Sequence, residues 1–150
     1  PIMTRKGGGA WRQTIFFPFQ LTSRYGRGVA LRQVVETPRY EVVFDAKRTE
    51  KEIPYLASAV VYDTAAGEVR VFAVNRSPEE PLELAVRLEG LAPAGVIEWQ
   101  SMHHADLKAV NREDDESVRP APATGADLAG ETLRATLPPA SWNLLRVKVA

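Results

Sequence analysis

The chain has 150 residues, no cysteine, and 19 basic against 19 acidic residues, so its formal net charge is zero. This balance argues against a nucleic-acid partner, and the lack of cysteine excludes disulfides and thiolate metal sites within this sequence. The length suits one domain with a real core, and the apolar runs are too short to span a membrane. We therefore expect an ordinary globular domain with no nucleic-acid and no membrane partner.

The first 25 residues predict a loop followed by a helix. Residues 1–9 begin with proline and end in three glycines, a composition typical of irregular structure. Residues 10–25, AWRQTIFFPFQLTSRY, predict a helix that Gly26 terminates as a C-cap. Pro18 should kink this helix, because proline removes a main-chain donor.

The predicted helix has a wide apolar stripe, so we expect it to be largely buried. Its apolar side chains include Trp11, Ile15, Phe16, Phe19 and Leu21. A first helix has little to pack against when only strands follow it. The chain also starts at Pro1, without an initiator methionine. We therefore expect these residues to be the tail of a larger domain.

From Gly28 onward, apolar side chains recur at every second residue, which predicts strands. The strand-like segments are residues 29–36, 40–44, 56–63, 68–77, 82–90, 96–104, 132–139 and 142–150. The turn sequence DTAAGE at 63–68 predicts that the strands on either side of it form a hairpin. Short strands at roughly ten-residue spacing are typical of an antiparallel β-sandwich, here jelly-roll-like. We expect the sandwich to begin near Gly26–Gly28.

Residues 111–131 are polar and rich in proline and alanine, which predicts a long surface loop that is partly disordered. The loop contains four consecutive acids, Glu113 to Glu116. Glycoside hydrolysis needs two carboxylates at a set separation, one of them desolvated enough to raise its pKa. An exposed run supplies neither condition, so we expect it to be solvated. Glu98, beside Trp99 on a predicted strand, has no evident partner.

One set of residues suggests sugar recognition. Trp11, Arg12 and Gln13 follow the glycine run. An aromatic ring can stack on the CH face of a sugar, while an amide and a guanidinium can hold its hydroxyl groups. The alternative interpretation is a buried tryptophan and a solvated arginine on one helix.

Two further features do not predict a site. His103 and His104 are adjacent on a predicted strand and would point to opposite faces. With only Asp106 nearby, we expect no metal site. The sequence NRS at 75–77 matches a glycosylation acceptor, but a proline follows it directly.

Four stretches carry a family resemblance. They are PIMTRKGGGAWRQTIFFPFQLTSRYGRGVAL, IPYLASAVVYD, VRVFAVNRS and LPPASWNLLRV. In these stretches, and over nearly its whole length, the chain resembles the C-terminal portion of α-L-arabinofuranosidases of glycoside hydrolase family 51. The loop at 111–131 is the least similar part, as is typical of surface loops.

The resemblance implies a domain organisation in which a (β/α)8 barrel is followed by a C-terminal β-sandwich. Residues 1–27 would be the end of the barrel, with 1–9 the loop after its last strand and 10–25 its last helix. Residues 28–150 would be the sandwich. Loops after barrel strands lie on the face where TIM-barrel active sites are found.

The resemblance also implies retaining hydrolysis of terminal α-L-arabinofuranosyl groups from arabinoxylan or arabinan oligosaccharides, by two glutamates upstream of this chain. It assigns no catalytic residue, no metal and no cofactor here. Trp11, Arg12 and Gln13 would shape the rim of the substrate pocket or brace it from behind. The partners would be the upstream barrel, arabinose-containing oligosaccharides and further copies in a homo-oligomer, commonly a hexamer, in the cytoplasm.

Two other functions stay open. The first is an autonomous carbohydrate-binding sandwich with a surface platform of aromatic rings, which two coplanar, exposed rings at Trp99 and Trp142 would favour. The second is a purely architectural sandwich that supports the barrel and contributes to oligomer contacts. Buried rings would favour this architectural function.

Overall fold

The computed structural model describes residues 1–45 and 48–150, and within these the side chains of 44, 45 and 48–51 are left aside. Strands dominate the described residues, and the strands and the helix follow one another along the chain as elements in a fixed order. They are β1 (Ile2–Thr4), β2 (Ala10–Arg12), α1 (Phe16–Tyr25), β3 (Val29–Ala30), β4 (Arg39–Asp45), β5 (Arg48–Pro54), β6 (Leu56–Asp63), β7 (Glu68–Asn75), β8 (Leu82–Arg87), β9 (Pro93–Met102), β10 (Ala121–Pro122), β11 (Asp127–Ala129), β12 (Thr132–Leu137) and β13 (Ser141–Val149).

Two antiparallel sheets face each other and form a β-sandwich, as the period-two pattern predicts. One sheet has the strand order β10-β9-β13-β7-β6-β3, and the other has the order β11-β12-β8. The predicted hairpin of β6 and β7 is present, with Val60 opposite Val71. Strands β1 and β2 pair separately, as do β4 and β5. The expectation of a mainly β, antiparallel fold is confirmed.

The main hydrophobic core lies between the two sheets. Alternate residues of the central strands point into it, so that Val60, Val71, Leu145 and Trp99 form one row across the larger sheet. The smaller sheet contributes Leu84, Leu133 and Leu137, among others. Burying each such aliphatic side chain contributes about 1.5–3 kcal/mol.

The outer face of the larger sheet is covered by α1. Phe72 of β7 and Leu144 of β13 form a second buried cluster with Val61, against which Leu21 and Tyr25 of the helix pack. Strand β7 is therefore buried on both faces along most of its length. The outer face of β7 is accordingly apolar at Phe72 and Val74, while Glu68 and Arg70 on the same face are charged.

The prediction for residues 1–25 is wrong in its first half. Ile2–Thr4 and Ala10–Arg12 pair as a hairpin, with Met3 opposite Trp11, and Gly7 takes a left-handed φ of 71° in the turn between them. Glycine adopts this conformation without the clash that a Cβ would cause. Each strand is too short for its periodicity to be recognised in the sequence. We refer to residues 1–13 as the N-terminal hairpin.

The helix begins later than predicted, at Phe16. Pro18 is then the third helical residue, where its missing N–H has no partner within the helix, so no kink is required. Gly26 does end the helix, donating to the carbonyl oxygen of Thr22 at 2.7 Å. Of the helical residues only Phe17 is buried, and Phe19 is 67% exposed. Extensive burial of this helix is therefore not found within the chain.

Two further segments differ from the prediction. The strand expected at 29–36 ends at Ala30. The main-chain N–H of Leu31 still donates to the carbonyl oxygen of Val60 at 2.8 Å, and beyond it the side-chain amide of Gln33 bonds Ser58. The expected loop at 111–131 contains β10 and β11, and Val118 is buried within it. The polar sequence of residues 111–131 gives no periodic signal for these two short strands, because they form only by pairing with neighbouring strands.

Candidate functional site

Trp11, Arg12 and Gln13 lie at the end of the N-terminal hairpin and face the loop of residues 111–118, which we call the acidic loop. All three side chains are half-buried. The Nε1 of Trp11 donates to the carbonyl oxygen of Asn111 at 3.1 Å, and the Nε2 of Gln13 donates to the same oxygen at 3.4 Å. The three residues expected at a sugar site are thus held together, on strand β2 and the turn after it rather than on a helix.

Arg12 and Glu116 form the central contact of this site. The main-chain N–H of Arg12 donates to Oε1 of Glu116 at 2.8 Å, and its Nε lies 3.1 and 3.0 Å from the two carboxylate oxygens. The Nη2 of Arg12 also bonds Glu116. These hydrogen bonds lower the pKa of Glu116 to about 2 and raise the pKa of Arg12. The pair therefore stays ionised at neutral pH.

Asn111 links the two segments through main-chain atoms. Its side chain is 1% exposed. The Nδ2 donates to the carbonyl oxygens of Arg12, at 3.1 Å, and of Val118, at 2.9 Å, while Oδ1 accepts the N–H of Val118 at 3.0 Å. A buried amide with these partners fixes the position of β2 relative to the acidic loop.

Glu113 makes a second contact between the acidic loop and the hairpin. Its carboxylate accepts the main-chain N–H of Gly9 at 2.8 Å and pairs with Arg5. The expectation of a solvated acidic run holds for the exposed Glu113, Asp114 and Asp115 and is wrong for the half-buried Glu116. Neither the contact of Glu113 nor that of Glu116 was expected. The sequence does not show this, because the partners are 104 residues away for both main-chain contacts.

A second ion-pair group holds the opposite end of the helix. Tyr25 is flanked by the guanidinium groups of Arg70 and Arg146, whose central carbons lie 5.5 and 4.7 Å from the ring centroid. Arg146 bonds both oxygens of Glu68, at 2.8 and 2.9 Å, and also bonds Glu98 at 2.9 Å. The expectation that Glu98 lacks a partner is thus wrong.

The described carboxylates with a shifted pKa do not suit general acid catalysis. Gln100 and Arg146 both bond Glu98 and lower its pKa, and main-chain N–H groups together with Arg70 lower that of Asp63. A glycosidase acid needs the opposite shift. Glu98 borders a groove of about 270 Å³ between α1 and the larger sheet, and its ionised form suits an ion-pair role there.

The tryptophans of the sandwich do not form an aromatic platform. Trp99 is 6% exposed and donates from Nε1 to Oδ1 of Asn143 at 3.1 Å. Trp142 is half-buried and packs against Phe72, with ring centroids 6.1 Å apart. Both rings thus pack against other side chains of the sandwich, which favours the architectural function over a carbohydrate-binding surface.

The other candidate features have local roles. His103 and His104 follow β9, and Nδ1 of His104 accepts the N–H of Asp106 at 3.0 Å. The described residues contain no group of three acidic or histidine side chains that could hold a metal ion. Asn75 of the NRS sequence is fully buried, and its Nδ2 donates to the carbonyl oxygens of Glu80, Leu137 and Pro138. An amide in this position has no access to a glycosylating enzyme.

The fold is that of an antiparallel β-sandwich domain with a helix packed on the outer face of its larger sheet. The chain belongs to the family described as the alpha-L-arabinofuranosidase C-terminal domain, whose family model matches residues 1–141. It is 45% identical over 147 residues to an intracellular exo-α-(1→5)-L-arabinofuranosidase from Streptomyces lividans, and 39% identical over 155 residues to an exo-α-(1→6)-L-arabinofuranosidase from Bifidobacterium longum.

A solved structure shows the same arrangement. A family 51 α-L-arabinofuranosidase from Bifidobacterium longum superposes with a TM-score of 0.83 at 31% identity, over 97% of this chain and 28% of that one. The two enzymes above are matched over 97% and 99% of this chain but over only 21% and 28% of their own lengths. The chain therefore corresponds to less than a third of each relative. The one helix in the described part falls far short of the length needed to cross a membrane.

Proposed function

We propose that this chain is the C-terminal part of a family 51 α-L-arabinofuranosidase, which releases terminal α-L-arabinofuranosyl groups from arabinoxylan or arabinan oligosaccharides. The observation that carries the proposal is the family match over residues 1–141, together with relatives that are named for this activity. The catalytic glutamates would lie in the upstream part, where one acts as nucleophile and the other as acid and base.

We further propose that residues 1–27 are the end of the catalytic barrel and residues 28–150 are the sandwich. The N-terminal hairpin and α1 belong to neither sheet of the sandwich, which supports this division. Ile15 and Phe19 are 55% and 67% exposed, and an upstream domain would cover them. The expected packing partner of the apolar helix would then be the rest of the barrel.

Trp11, Arg12 and Gln13 would lie at the rim of the arabinose pocket or support it from behind. Their position supports this role, since they follow the loop that would extend from the last barrel strand to its catalytic face. Their contacts with the acidic loop hold them in one conformation. The sandwich would contribute support rather than chemistry.

The partners and the location of the protein follow the same reasoning. We propose arabinose-containing oligosaccharides as substrates and the upstream barrel as the partner within the polypeptide. Assembly into a homo-oligomer is proposed from the family resemblance. The relative from Streptomyces lividans is named as intracellular, which supports a cytoplasmic location.

The experiment is a hydrolysis assay with the complete polypeptide and an aryl α-L-arabinofuranoside. We expect release of the aryl alcohol with retention of configuration, and no release by residues 1–150 alone. Turnover by the isolated chain, or none by the complete polypeptide on any arabinofuranoside, would contradict the proposal. Retention of the isolated chain on arabinan would instead favour the autonomous binding module.

A further inference from the structure

We infer that the acidic loop is a positioning element for the active site, with Glu116 and Asn111 as positioning residues that hold Arg12 and, through it, the adjacent Gln13. The inference rests on the proposed function and extends it, because it places a determinant of catalytic geometry in the sandwich. The acidic loop belongs to residues 28–150, whereas the segment that it holds belongs to residues 1–27.

The contact between Arg12 and Glu116 constrains the backbone as well as the side chain. One carboxylate oxygen accepts the main-chain N–H of Arg12 at 2.8 Å, while both oxygens lie within 3.1 Å of its Nε. A planar guanidinium bonded to both oxygens fixes orientation, which a single ammonium contact cannot do. The geometry therefore sets the position of β2 at the residue next to Gln13.

Asn111 fixes the same short segment from a second direction. Its buried Nδ2 bonds the carbonyl oxygen of Arg12, so that both the N–H and the C=O of this residue are held by side chains of the acidic loop. The carbonyl oxygen of Asn111 accepts from Trp11 and Gln13 on either side. Three consecutive residues are thus bound to one loop.

The arrangement is better suited to positioning than to overall stability. The side chains of Arg12 and Glu116 keep 43% and 22% of their exposed area, and partly exposed ion pairs contribute little to the free energy of unfolding. Catalytic rates, in contrast, are sensitive to displacements of about 1 Å at groups that contact substrate. The effect of breaking this contact should therefore appear in turnover and in local exchange, with the unfolding midpoint nearly unchanged.

The test uses the complete polypeptide with Glu116→Ala, Glu116→Gln and the matched control Asp114→Asn. Asp114 is an exposed acid in the same loop and forms none of the contacts described above. Hydrogen exchange of the Arg12 amide should accelerate about tenfold in Glu116→Ala, less in Glu116→Gln, which keeps one acceptor oxygen, and not in Asp114→Asn. On an aryl arabinofuranoside, kcat should fall about tenfold in the alanine variant, with a smaller change in KM, and should be partly restored in the glutamine variant.

Unchanged exchange at Arg12 in both Glu116 variants would overturn the inference whatever the enzyme's activity. Faster exchange with kcat and KM like those of the unsubstituted enzyme would also overturn it, because the segment would then be held without any effect on the reaction. If the unsubstituted polypeptide hydrolyses no arabinofuranoside, the proposed function fails and a catalytic role for the loop fails with it. The exchange readout then still reports separately whether the acidic loop holds the hairpin. Should Glu116→Ala not fold, the nearly isosteric Glu116→Gln decides both readouts.

Discussion

The guanidinium of Arg70 donates a hydrogen bond of 3.2 Å to the carbonyl oxygen of Tyr25, the last residue of α1. Arg70 is 6% exposed and arises from the centre of the larger sheet. It also forms ion pairs with Asp63 at 2.7 Å and Glu68 at 3.2 Å. A cation at the C-terminal end of a helix is favourable because it complements the helix dipole. The sandwich therefore holds the last turn of α1. The acidic loop, in the same way, holds the N-terminal hairpin that precedes the first turn of α1.

Replacing Arg70 by methionine should destabilise the protein. We expect Arg70→Met to lower the free energy of unfolding by about 2–4 kcal/mol, because it leaves two partly buried carboxylates without this partner. Urea unfolding measures the change. Arg87→Met is the control, since Arg87 and Glu89 form an exposed pair with side chains 74% and 73% accessible, and it should change stability by less than about 1 kcal/mol. Equal effects of the two substitutions would contradict the anchoring role of Arg70.

Gly28, at the proposed boundary between barrel and sandwich, should not tolerate a side chain. Its φ is 132°, and an added Cβ would lie 2.4 Å from the carbonyl oxygen of Tyr62. We expect Gly28→Ala to destabilise the chain by about 1–3 kcal/mol, measured as a shift of the urea midpoint. Gly95→Ala is the matched control, because nothing lies within 4 Å of its added Cβ. A Gly28→Ala variant as stable as Gly95→Ala would show that the chain can pass the boundary in another conformation.

The acid limb of the stability curve should depend to a small extent on Glu116, because its pair with Arg12 is partly exposed and contributes little to the free energy of unfolding. Its pKa is about 2 in the folded protein, against an ordinary value of 4.5. A carboxylate with a lowered folded pKa contributes stability that is present above 4.5 and is lost as the pH falls toward 2. Unfolding by urea at several pH values should therefore show a smaller loss for Glu116→Gln than for the unsubstituted protein over this window. Parallel curves would mean that the pair with Arg12 does not persist in solution.

Gln13→Ala should lower turnover in the complete enzyme while leaving its fold intact. The side chain is half-buried and makes one long hydrogen bond to the described residues, 3.4 Å to the carbonyl oxygen of Asn111, so its loss removes little stability. Steady-state kinetics on an aryl arabinofuranoside, together with thermal unfolding, separate the two effects. Gln20→Ala, at an exposed position of α1 that borders the groove beside the larger sheet, serves as the control. Kinetics unchanged by Gln13→Ala would remove this residue from the pocket.

The sandwich could be predicted from the sequence because its signal is local. Side chains of β12 alternate between core and surface, so the pattern of residues 132–137 by itself specifies a strand and its buried face. The same periodicity does not identify segments of two or three residues. The sequence therefore predicts loop or helix for the N-terminal hairpin and for the strands within 111–131, since these strands form only when a neighbouring strand is available.

The residue pattern alone was enough to predict an antiparallel β-sandwich of a recognisable family, with an apolar segment before it. The ion pairs of Glu113 and Glu116, the contact of Glu98 with Arg146, and the bond from Arg70 to the last residue of α1 become visible only in the folded chain. The physical reason is that alternation of apolar residues acts between neighbours along the chain. The ion-pair partner of a charged residue, in contrast, depends on which distant segments folding brings together. No local pattern in the sequence identifies that partner.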